Sequence, residues 1–411
     1  MIQEFLAPFQ SEVFKGALRV AWLLWPLWLP IFSITLFMQS WVSYVRRKYV
    51  TEQGSTLLEL RLPKEITKSP AAMEIVIDAL SQPSVGSYID VFLKGRVRPW
   101  FSLELVSLGG QVKFFIWTQK KFKNLIESQI YSQFPTVEVY EVPDYSLEIP
   151  FDPAKFTMWG MQLSLAKPDV FPIKTYIDYG MHMDPKEEFK IDPMTPMLEF
   201  LGSVKPDDQV WIQILVQAHR KEGFKDARLQ EVPDWKGKAK TEIDKIIQDA
   251  PVKPEEGKSV QLNALTDAQK DTINAIQRNL NKTPFDTMIR ALYVAPADRF
   301  NPLNIGGLTG VFKQFGSGNL NGFKPGPIPN FDYPWQDFKN KRKIEAQKKL
   351  LEAYKMRSFF QQPYKNFKGK PFVLTTEELS TIFHFPGGVA TTPTFDRIMS
   401  KKSEPPSNLP I

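Results

Sequence analysis

An uncharged and densely apolar segment near the N-terminus constrains this chain more than any other feature of its sequence. No charged residue occurs from Val20 to Val45. A helix rises about 1.5 Å per residue, so a segment of this length covers a hydrocarbon core of roughly 30 Å. Tryptophans lie toward both of its ends, as they do at the two interfaces of a bilayer: Trp22, Trp25, Trp28 and Trp41. The sequence therefore predicts a single transmembrane helix.

The flanking charges predict how this segment is oriented. Cations are more numerous after the segment than before it: Arg46, Arg47 and Lys48 against Lys15 and Arg19. Lys and Arg are enriched on the cytoplasmic side of a membrane, so the large C-terminal portion is expected in the cytoplasm. An interfacial or re-entrant helix is the alternative, because Pro26 and Pro30 would kink a spanning helix.

Residues 53–145 follow a regular order of strands and helices. Alternating apolar residues predict the strands, Ser69-Pro70 is typical of a helix start, and Gly109-Gly110 indicates a two-residue hairpin. The predicted strands are Leu57–Leu62, Trp100–Leu108, Gln111–Thr118 and Thr136–Val142, and Lys121–Phe134 is a helix. This β-α-β-β-α-β order is that of a ferredoxin-like unit.

A second unit of the same kind is predicted over residues 146–375, with insertions at about 220–283 and 317–368. Its predicted strands are Met158–Leu165, Phe171–Ile177, Gln209–Ala218, Phe285–Val294 and Phe372–Leu374, and its helices are Pro193–Val204 and Asn301–Phe315. Thr266 and Gln269 form a capping box in the first insertion. A single mixed α/β domain without internal symmetry is the alternative.

The predicted fold is therefore α+β, with a transmembrane helix in residues 1–52 followed by two ferredoxin-like units, the second with large helical insertions. Residues 376–411 are predicted to form a short helix and a Pro-rich tail.

The residues that usually carry chemistry are scarce. The chain has no cysteine, which excludes thiolate catalysis and disulfides. Its three histidines, His182, His219 and His384, lie far apart in the sequence, and none has a second histidine at metal-ligand spacing. The glycine cluster Gly306-Gly307-Leu308-Thr309-Gly310 lacks the spacing of a nucleotide-binding loop. We predict no catalytic, cofactor or metal site.

A basic helix at Lys339–Arg357 is the most suggestive polar feature. The chain carries a net charge of +7, and this helix concentrates cations that would bind nucleic acid or anionic lipid: Lys341, Arg342, Lys343, Lys348, Lys349, Lys355 and Arg357. Aromatic side chains then alternate with lysines, a pattern also used for single strands: Phe359, Phe360, Tyr364 and Phe367 with Lys365 and Lys368. A solvated helix face and packing aromatics are the alternative reading.

Several segments resemble an uncharacterised family of bacterial membrane proteins. In the first half these are residues 58–63 (LELRLP), 68–74 (KSPAAME), Ser107-Leu108-Gly109-Gly110 to Phe115, and 127–135 (ESQIYSQFP). In the second half they are residues 171–176 (FPIKTY), 191–193 (IDP), 209–214 (QVWIQI) and 405–410 (PPSNLP). The resemblance covers nearly everything after residue 52.

The resemblance implies a function in transport. The family occurs largely in candidate-phylum bacteria, beside or fused to ATPases similar to the coupling proteins of conjugative type IV secretion. It implies a bacterial cytoplasmic membrane protein, single-pass, that acts as a non-enzymatic scaffold docking a separate P-loop coupling-type ATPase in DNA or protein transfer. A membrane-tethered nucleic-acid-binding protein is the second hypothesis, and an enzyme with a carboxylate-built site is the third. The expected partners are the lipid bilayer, the ATPase, DNA and a second copy of the chain.

Overall fold

The structure of this chain, a computed structural model, describes residues 16, 19–20, 22–63, 66, 68–183, 191–221, 234–248, 265–326 and 337–387. Lys15, the tail beyond residue 387 and parts of both predicted insertions lie outside these residues. The strands are β1 (Ser55–Arg61), β2 (Trp100–Leu108), β3 (Gln111–Gln119), β4 (Glu138–Val142), β5 (Phe156–Leu165), β6 (Gln209–Ala218), β7 (Pro284–Pro296), β8 (Phe323–Pro325) and β9 (Phe372–Thr375). The α-helices are α1 (Trp25–Gln53), α2 (Pro70–Ala79), α3 (Tyr88–Phe92), α4 (Lys123–Gln133), α5 (Thr195–Gly202), α6 (Trp235–Gln248), α7 (Asp267–Leu280), α8 (Leu303–Gly310), α9 (Lys341–Lys355) and α10 (Thr376–Ile382).

The described residues form two compact units, and the first lies within residues 1–52 and 85–97. Val42 and Val45 are the buried residues of α1. The indole Nε1 of Trp41 donates a hydrogen bond of 2.8 Å to the carbonyl of Phe92 at the end of α3. Gly95 has φ of +69°, and a Cβ there would lie 2.2 Å from the carbonyl oxygen of Val45, so only glycine allows this close approach of two backbones.

The predicted transmembrane anchor is wrong, and with it the single-pass placement in a cytoplasmic membrane. Across the part of the chain that the structure describes, no helix combines the length and the apolar character needed to cross a bilayer. The helix α1 contains Pro30, its charges begin at Arg46, and polar side chains dilute its apolar residues: Ser33, Thr35, Gln39, Ser40 and Ser43.

The residues predicted to lie at the membrane interface have varied surroundings. Trp22, Trp25 and Trp28 are exposed, as are many apolar side chains of α1, whereas Trp41 is half-buried through its bond to α3. Arg46 is half-buried, and Arg47 and Lys48 are exposed; Lys48 Nζ lies 3.9 Å from Glu52 Oε1.

The second unit is built on one nine-stranded sheet in the order β4-β1-β3-β2-β6-β7-β5-β8, with β9 also pairing with β7. Every pair of neighbouring strands is antiparallel. Gly109 and Gly110 connect β2 to β3 with φ of +60° and +87°, which is the conformation of a two-residue hairpin turn. This predicted hairpin is confirmed.

The prediction of an anchor followed by two ferredoxin-like units is wrong because the strands of both predicted units belong to this one sheet. Strands β4, β1, β3 and β2 come from the first predicted unit, and β6, β7, β5 and β8 from the second. They join where β2 pairs with β6, from Trp100 opposite Gln217 to Leu108 opposite Gln209. Continuous pairing through the middle of the chain therefore replaces two separate domains.

One face of the sheet carries the main apolar core. Alternate residues of the central strands, such as Phe101 and Leu103 on β2 and Ile212 and Ile214 on β6, pack against helices α2, α4, α5, α8 and α10. Each large apolar side chain that is fully buried here stabilises the fold by about 1.5–3 kcal/mol. Because side chains alternate along a strand, the residues between these apolar ones point to the other face of the sheet.

The other face of the sheet is polar at its centre and is covered by α9. Leu350 of α9 packs over β5, where a Cβ on Gly160 would lie 2.6 Å from Leu350 Cδ2. Gln347 Nε2 donates to the carbonyl of Met158 at 2.5 Å, and Lys355 Nζ donates to that of Ile149 at 2.6 Å. The helix is thus tied to β5 near its middle and to the segment that precedes β5 near its end.

A buried ion pair lies between the end of α9 and the sheet. The guanidinium of Arg357 donates from Nε and Nη2 to the two oxygens of Glu104 at 2.9 and 3.0 Å, and both side chains are fully buried. It also donates to the carboxylate of Asp144. Burial lowers the pKa of Arg357, but the charge and hydrogen bonds of Glu104 outweigh it and raise that pKa well above the ordinary value.

Aromatic and polar side chains enclose this pair. Tyr145 donates to Glu104 at 2.8 Å and shares a hydrogen bond of 2.7 Å with the hydroxyl of Tyr354. Trp211 packs against both tyrosine rings, at centroid distances of 5.3 and 5.2 Å. Gln213 donates to Glu104 at 3.0 Å. These contacts exclude water and supply the donors that a buried carboxylate requires.

Residues 171–177, predicted as a strand, form a loop. No neighbouring strand pairs with them: Ile173 donates its N–H to Glu378 at 3.0 Å, Lys174 to the carbonyl of Phe315 at 2.9 Å, and Tyr176 to Thr381 at 3.0 Å. Apolar alternation in this segment therefore reflects a buried loop fastened to α10. The capping box of Thr266 and Gln269, in contrast, is confirmed at the start of α7.

We predict strong coupling between Glu104 and Arg357. Glu104→Gln or Arg357→Met alone should lower the free energy of unfolding by about 3–5 kcal/mol, because each leaves a buried charge without its partner. The double variant should cost clearly less than the sum of the two. Chemical denaturation measures all three.

Glu345→Gln is the control, since Glu345 pairs at 2.6 Å with Lys349 where both side chains are at least half exposed. It should change stability by less than about 1 kcal/mol. Additive costs for Glu104 and Arg357 would contradict the coupling.

Candidate functional site

The two glutamates at the start of α10 are closed into the fold. Burial raises the pKa of Glu378 to about 7. Its oxygens accept from the backbone of Ile173 at 3.0 Å, the backbone of Thr375 at 2.9 Å and Asn279 Nδ2 at 3.1 Å. The bonds to Ile173 and Asn279 fasten α10 to two other segments, and the bond to Thr375 caps α10 itself. Glu378 is therefore a structural carboxyl group.

Neighbouring charges on α7 and α2 are paired with one another. Arg278 donates to Glu377 at 2.9 Å and to Asp178 at 2.9 Å. Lys282 Nζ lies 2.7 Å from Glu74. Carboxylates and cations that satisfy one another in this way provide a rigid joint between helices and no open pair for acid–base chemistry.

The three histidines also lie apart in space. His182 is exposed. His219 Nδ1 lies 2.6 Å from Asp286 Oδ1, and the other oxygen of Asp286 lies 3.2 Å from Arg98 Nη1. His384 is buried, with Nδ1 2.8 Å from the carbonyl of Ser380. Among the described residues no group of three or more His, Asp or Glu side chains is placed to hold a metal ion.

The most open set of charged groups lies on α9 and the loop that follows it, residues 341–370, which we term the basic segment. Lys341, Lys343 and Lys348 are exposed on α9, as are Arg342 and Lys349. The opposite side of the helix is buried through Leu351 and Tyr354. Of the cations predicted to form one surface, Lys355 is half-buried and Arg357 lies in the buried ion pair with Glu104.

Backbone strain is concentrated in and beside the same segment. Within the described chain, the non-glycine residues with positive φ are Asn340, Arg357, Asn366 and Lys368, at +55°, +46°, +53° and +61°. The left-handed conformation costs roughly 1–2 kcal/mol for a residue with a Cβ and persists only where the surroundings enforce it. Such outliers cluster at functional sites, which favours the basic segment as the candidate site.

The loop of the basic segment folds back onto α9. Tyr364 donates its hydroxyl proton to Glu352 on α9 and its backbone N–H to Ser358 Oγ at 3.2 Å. Burial and this carboxylate raise the pKa of Tyr364 to about 12, so it stays protonated. Phe359 and Phe360 are buried, whereas Tyr364 and Phe367 are half-buried. Packing in the core therefore explains Phe359 and Phe360, whereas it does not fully explain Tyr364 and Phe367.

Sequence patterns missed the buried partners of this site. Glu104 and Gln213 lie near the centres of the largely apolar strands β2 and β6, and a charge at the centre of a strand is the signal that marks a buried pair. The burial of Arg357 leaves no such signal in the sequence, because the position of its side chain depends on a positive φ just after the helix.

A model of the family described as a domain of unknown function, DUF8128, matches residues 47–397. The match covers most of the chain, including α9 and the sheet, so the chain belongs to the DUF8128 family. No curated protein matches the chain.

We predict an acid-sensitive contact between Asp192 and His384. Asp192 Oδ1 accepts the N–H of Met194 at 2.7 Å and lies 3.2 Å from His384 Nε2. Burial raises the pKa of Asp192, but the charge of His384 and the Met194 N–H outweigh it and hold that pKa below its ordinary value. A depressed pKa contributes stability above the unfolded value of about 3.9, which is lost as the pH falls through the folded pKa.

Asp192→Asn should therefore cost about 1–3 kcal/mol of unfolding free energy at pH 7, and the difference from wild type should shrink below about pH 4. Asp207→Asn, which removes the exposed pair with Arg299, should cost less than about 1 kcal/mol. Denaturation curves between pH 3 and 8 measure both, and a constant difference for Asp192→Asn would contradict the assignment.

Proposed function

We propose that this protein is a non-enzymatic nucleic-acid-binding protein that contacts phosphates through the basic segment. The observation that carries the proposal is the row of exposed cations on one side of α9, a helix whose other side is fastened to the sheet. Lys341, Lys348 and the intervening Glu345 lie along one stripe of the helix, so the cations are presented at helical spacing. Phosphate contacts of this kind supply most of the affinity in sequence-independent binding.

The charged groups elsewhere in the described fold support the same reading. The Glu104–Arg357 pair is satisfied internally, whereas Lys341, Lys343 and Lys348 of the basic segment are exposed to solvent. The net charge of +7 favours an anionic partner.

Charge reversal tests the proposal. Lys341→Glu, Lys348→Glu and Lys349→Glu combined should weaken binding of a DNA or RNA oligonucleotide at least about tenfold at ~0.1 M salt. The slope of log K against log salt should fall by about 2–3, since each lost phosphate contact removes ~0.7–0.9. Fluorescence anisotropy over a salt series measures both.

A matched control reverses three exposed lysines on another helix, Lys236→Glu, Lys238→Glu and Lys240→Glu on α6. It changes the net charge equally and should leave most of the affinity. Equal losses in the two triple variants, or none in either, would contradict a site on α9. Anionic vesicles that bind as the oligonucleotide does would redirect the proposal to a lipid surface.

A second candidate function is docking of a partner protein, for which the resemblance implies a P-loop coupling-type ATPase. The observation that favours it is the exposed apolar surface of α1, where Leu27, Ile31 and Ile34 are each more than 60% exposed. Exposed apolar patches of this kind mark interaction sites.

We predict that an ATPase co-purifies with the tagged chain from its own host and is lost in Ile31→Asp/Ile34→Asp. Ile75→Asp is the control, because Ile75 is exposed on α2, outside this surface. Recovery of the same ATPase from both variants would contradict docking through α1.

A further inference from the structure

The loop of the basic segment offers an aromatic surface beside its cations. Tyr364 and Phe367 pack edge to face, with ring centroids 5.6 Å apart and planes at 73°. Their rings are half-buried, so part of each remains open to solvent. The bond from Tyr364 to Glu352 fixes the pair against α9.

Exposed lysines occur on both elements that contribute to this pair, the loop and α9. Lys365, Lys368 and Lys370 are exposed on the loop, and Lys368 Nζ lies 5.8 Å from the centre of the Phe367 ring. On α9, Lys348 and Lys349 precede Glu352 by one helical turn and so lie on the same side of the helix as the bond to Tyr364. Cations are therefore available on both elements that the Tyr364–Glu352 bond connects.

The backbone holds Phe367 in one orientation. Asn366 and Lys368 on either side of it have positive φ, and the N–H of Asn366 donates to the carbonyl of buried Phe359 at 2.9 Å. The N–H of Phe367 donates to the carbonyl of Tyr364 at 3.1 Å. The backbone that carries the ring is therefore ordered before a ligand arrives, which lowers the conformational entropy that binding costs.

We propose that the basic segment selects single-stranded nucleic acid, with a base stacked on the Tyr364–Phe367 pair and the adjoining phosphates on Lys348, Lys365 and Lys368. Base stacking on an aromatic ring requires an unpaired base, whereas phosphate contacts alone accept a duplex. This inference rests on the proposed function, since the lysines must first bind phosphate.

Abasic oligonucleotides separate stacking from phosphate binding. The wild-type chain should bind a single strand at least about fivefold more tightly than the same strand with abasic sites, which keeps every phosphate. Phe367→Ala should bring the affinities for the two strands to within about twofold of each other, and Phe367→Trp should preserve the difference in affinity. Duplex affinity should be the same in all three proteins.

Two further variants distinguish loss of the ring from a folding defect. Phe367→Leu keeps an apolar side chain without a ring and should behave as Phe367→Ala does. Tyr131→Ala removes an exposed ring from α4, on the other face of the sheet, and should leave the preference unchanged.

Each outcome has a distinct meaning. If intact and abasic strands bind equally to the wild-type chain, or if Phe367→Leu retains the preference, the stacking site is refuted while phosphate binding by α9 stands. If no oligonucleotide binds at all, the proposed function fails together with this inference. DNA and RNA strands are measured in parallel, and a preference in either supports the site.

Discussion

The bidentate ion pair between Arg357 and Glu104 is the contact that determines how the polar face of this protein is organised. Both groups are fully buried, so each depends on the other for compensation of its lost hydration. Arg357 lies two residues after the end of α9, and Glu104 lies at the centre of β2. The pair therefore fastens the end of the basic helix to the middle of the sheet.

The same face carries a row of polar residues at directly opposed positions of four strands. Glu104 lies opposite Gln213, Gln213 opposite Arg290, and Arg290 opposite Gln162. Burial lowers the pKa of Arg290 to about 9, and its Nη2 donates to the carbonyl of Ser358 at 2.8 Å. Arg290 thus holds the residue that follows Arg357, and the loop of the basic segment begins from two fixed points on the sheet.

The sequence predicted those parts of the fold that depend on local patterns. Strands Trp100–Leu108 and Gln209–Ala218, the Gly109-Gly110 hairpin and the cap at Thr266 are confirmed, because periodicity and capping chemistry depend on neighbouring residues. Local patterns do not encode which distant strands pair, so they do not reveal the junction of β2 with β6, and they predict two domains where one sheet exists.

The uncharged N-terminal segment led to a wrong prediction for a related reason. Its length indicates a transmembrane helix, although Pro30 and its polar residues reduce the apolar character of the helix that forms. At the candidate site the exposed lysines were readable, whereas the inward position of Arg357 depends on a left-handed residue that no pattern reveals.

The central claim is that α9 is an integral part of the sheet's fold, so that its exposed lysines are held in fixed positions. Native-state hydrogen exchange tests this most directly. The amides of Leu351, Ala353 and Tyr354 should exchange only through global unfolding, with the same free energy as those of β2 and β6, because the buried pair must break for α9 to open. The account would be contradicted if these amides exchanged through a local opening whose free energy is several kcal/mol lower than the free energy of exchange in β2.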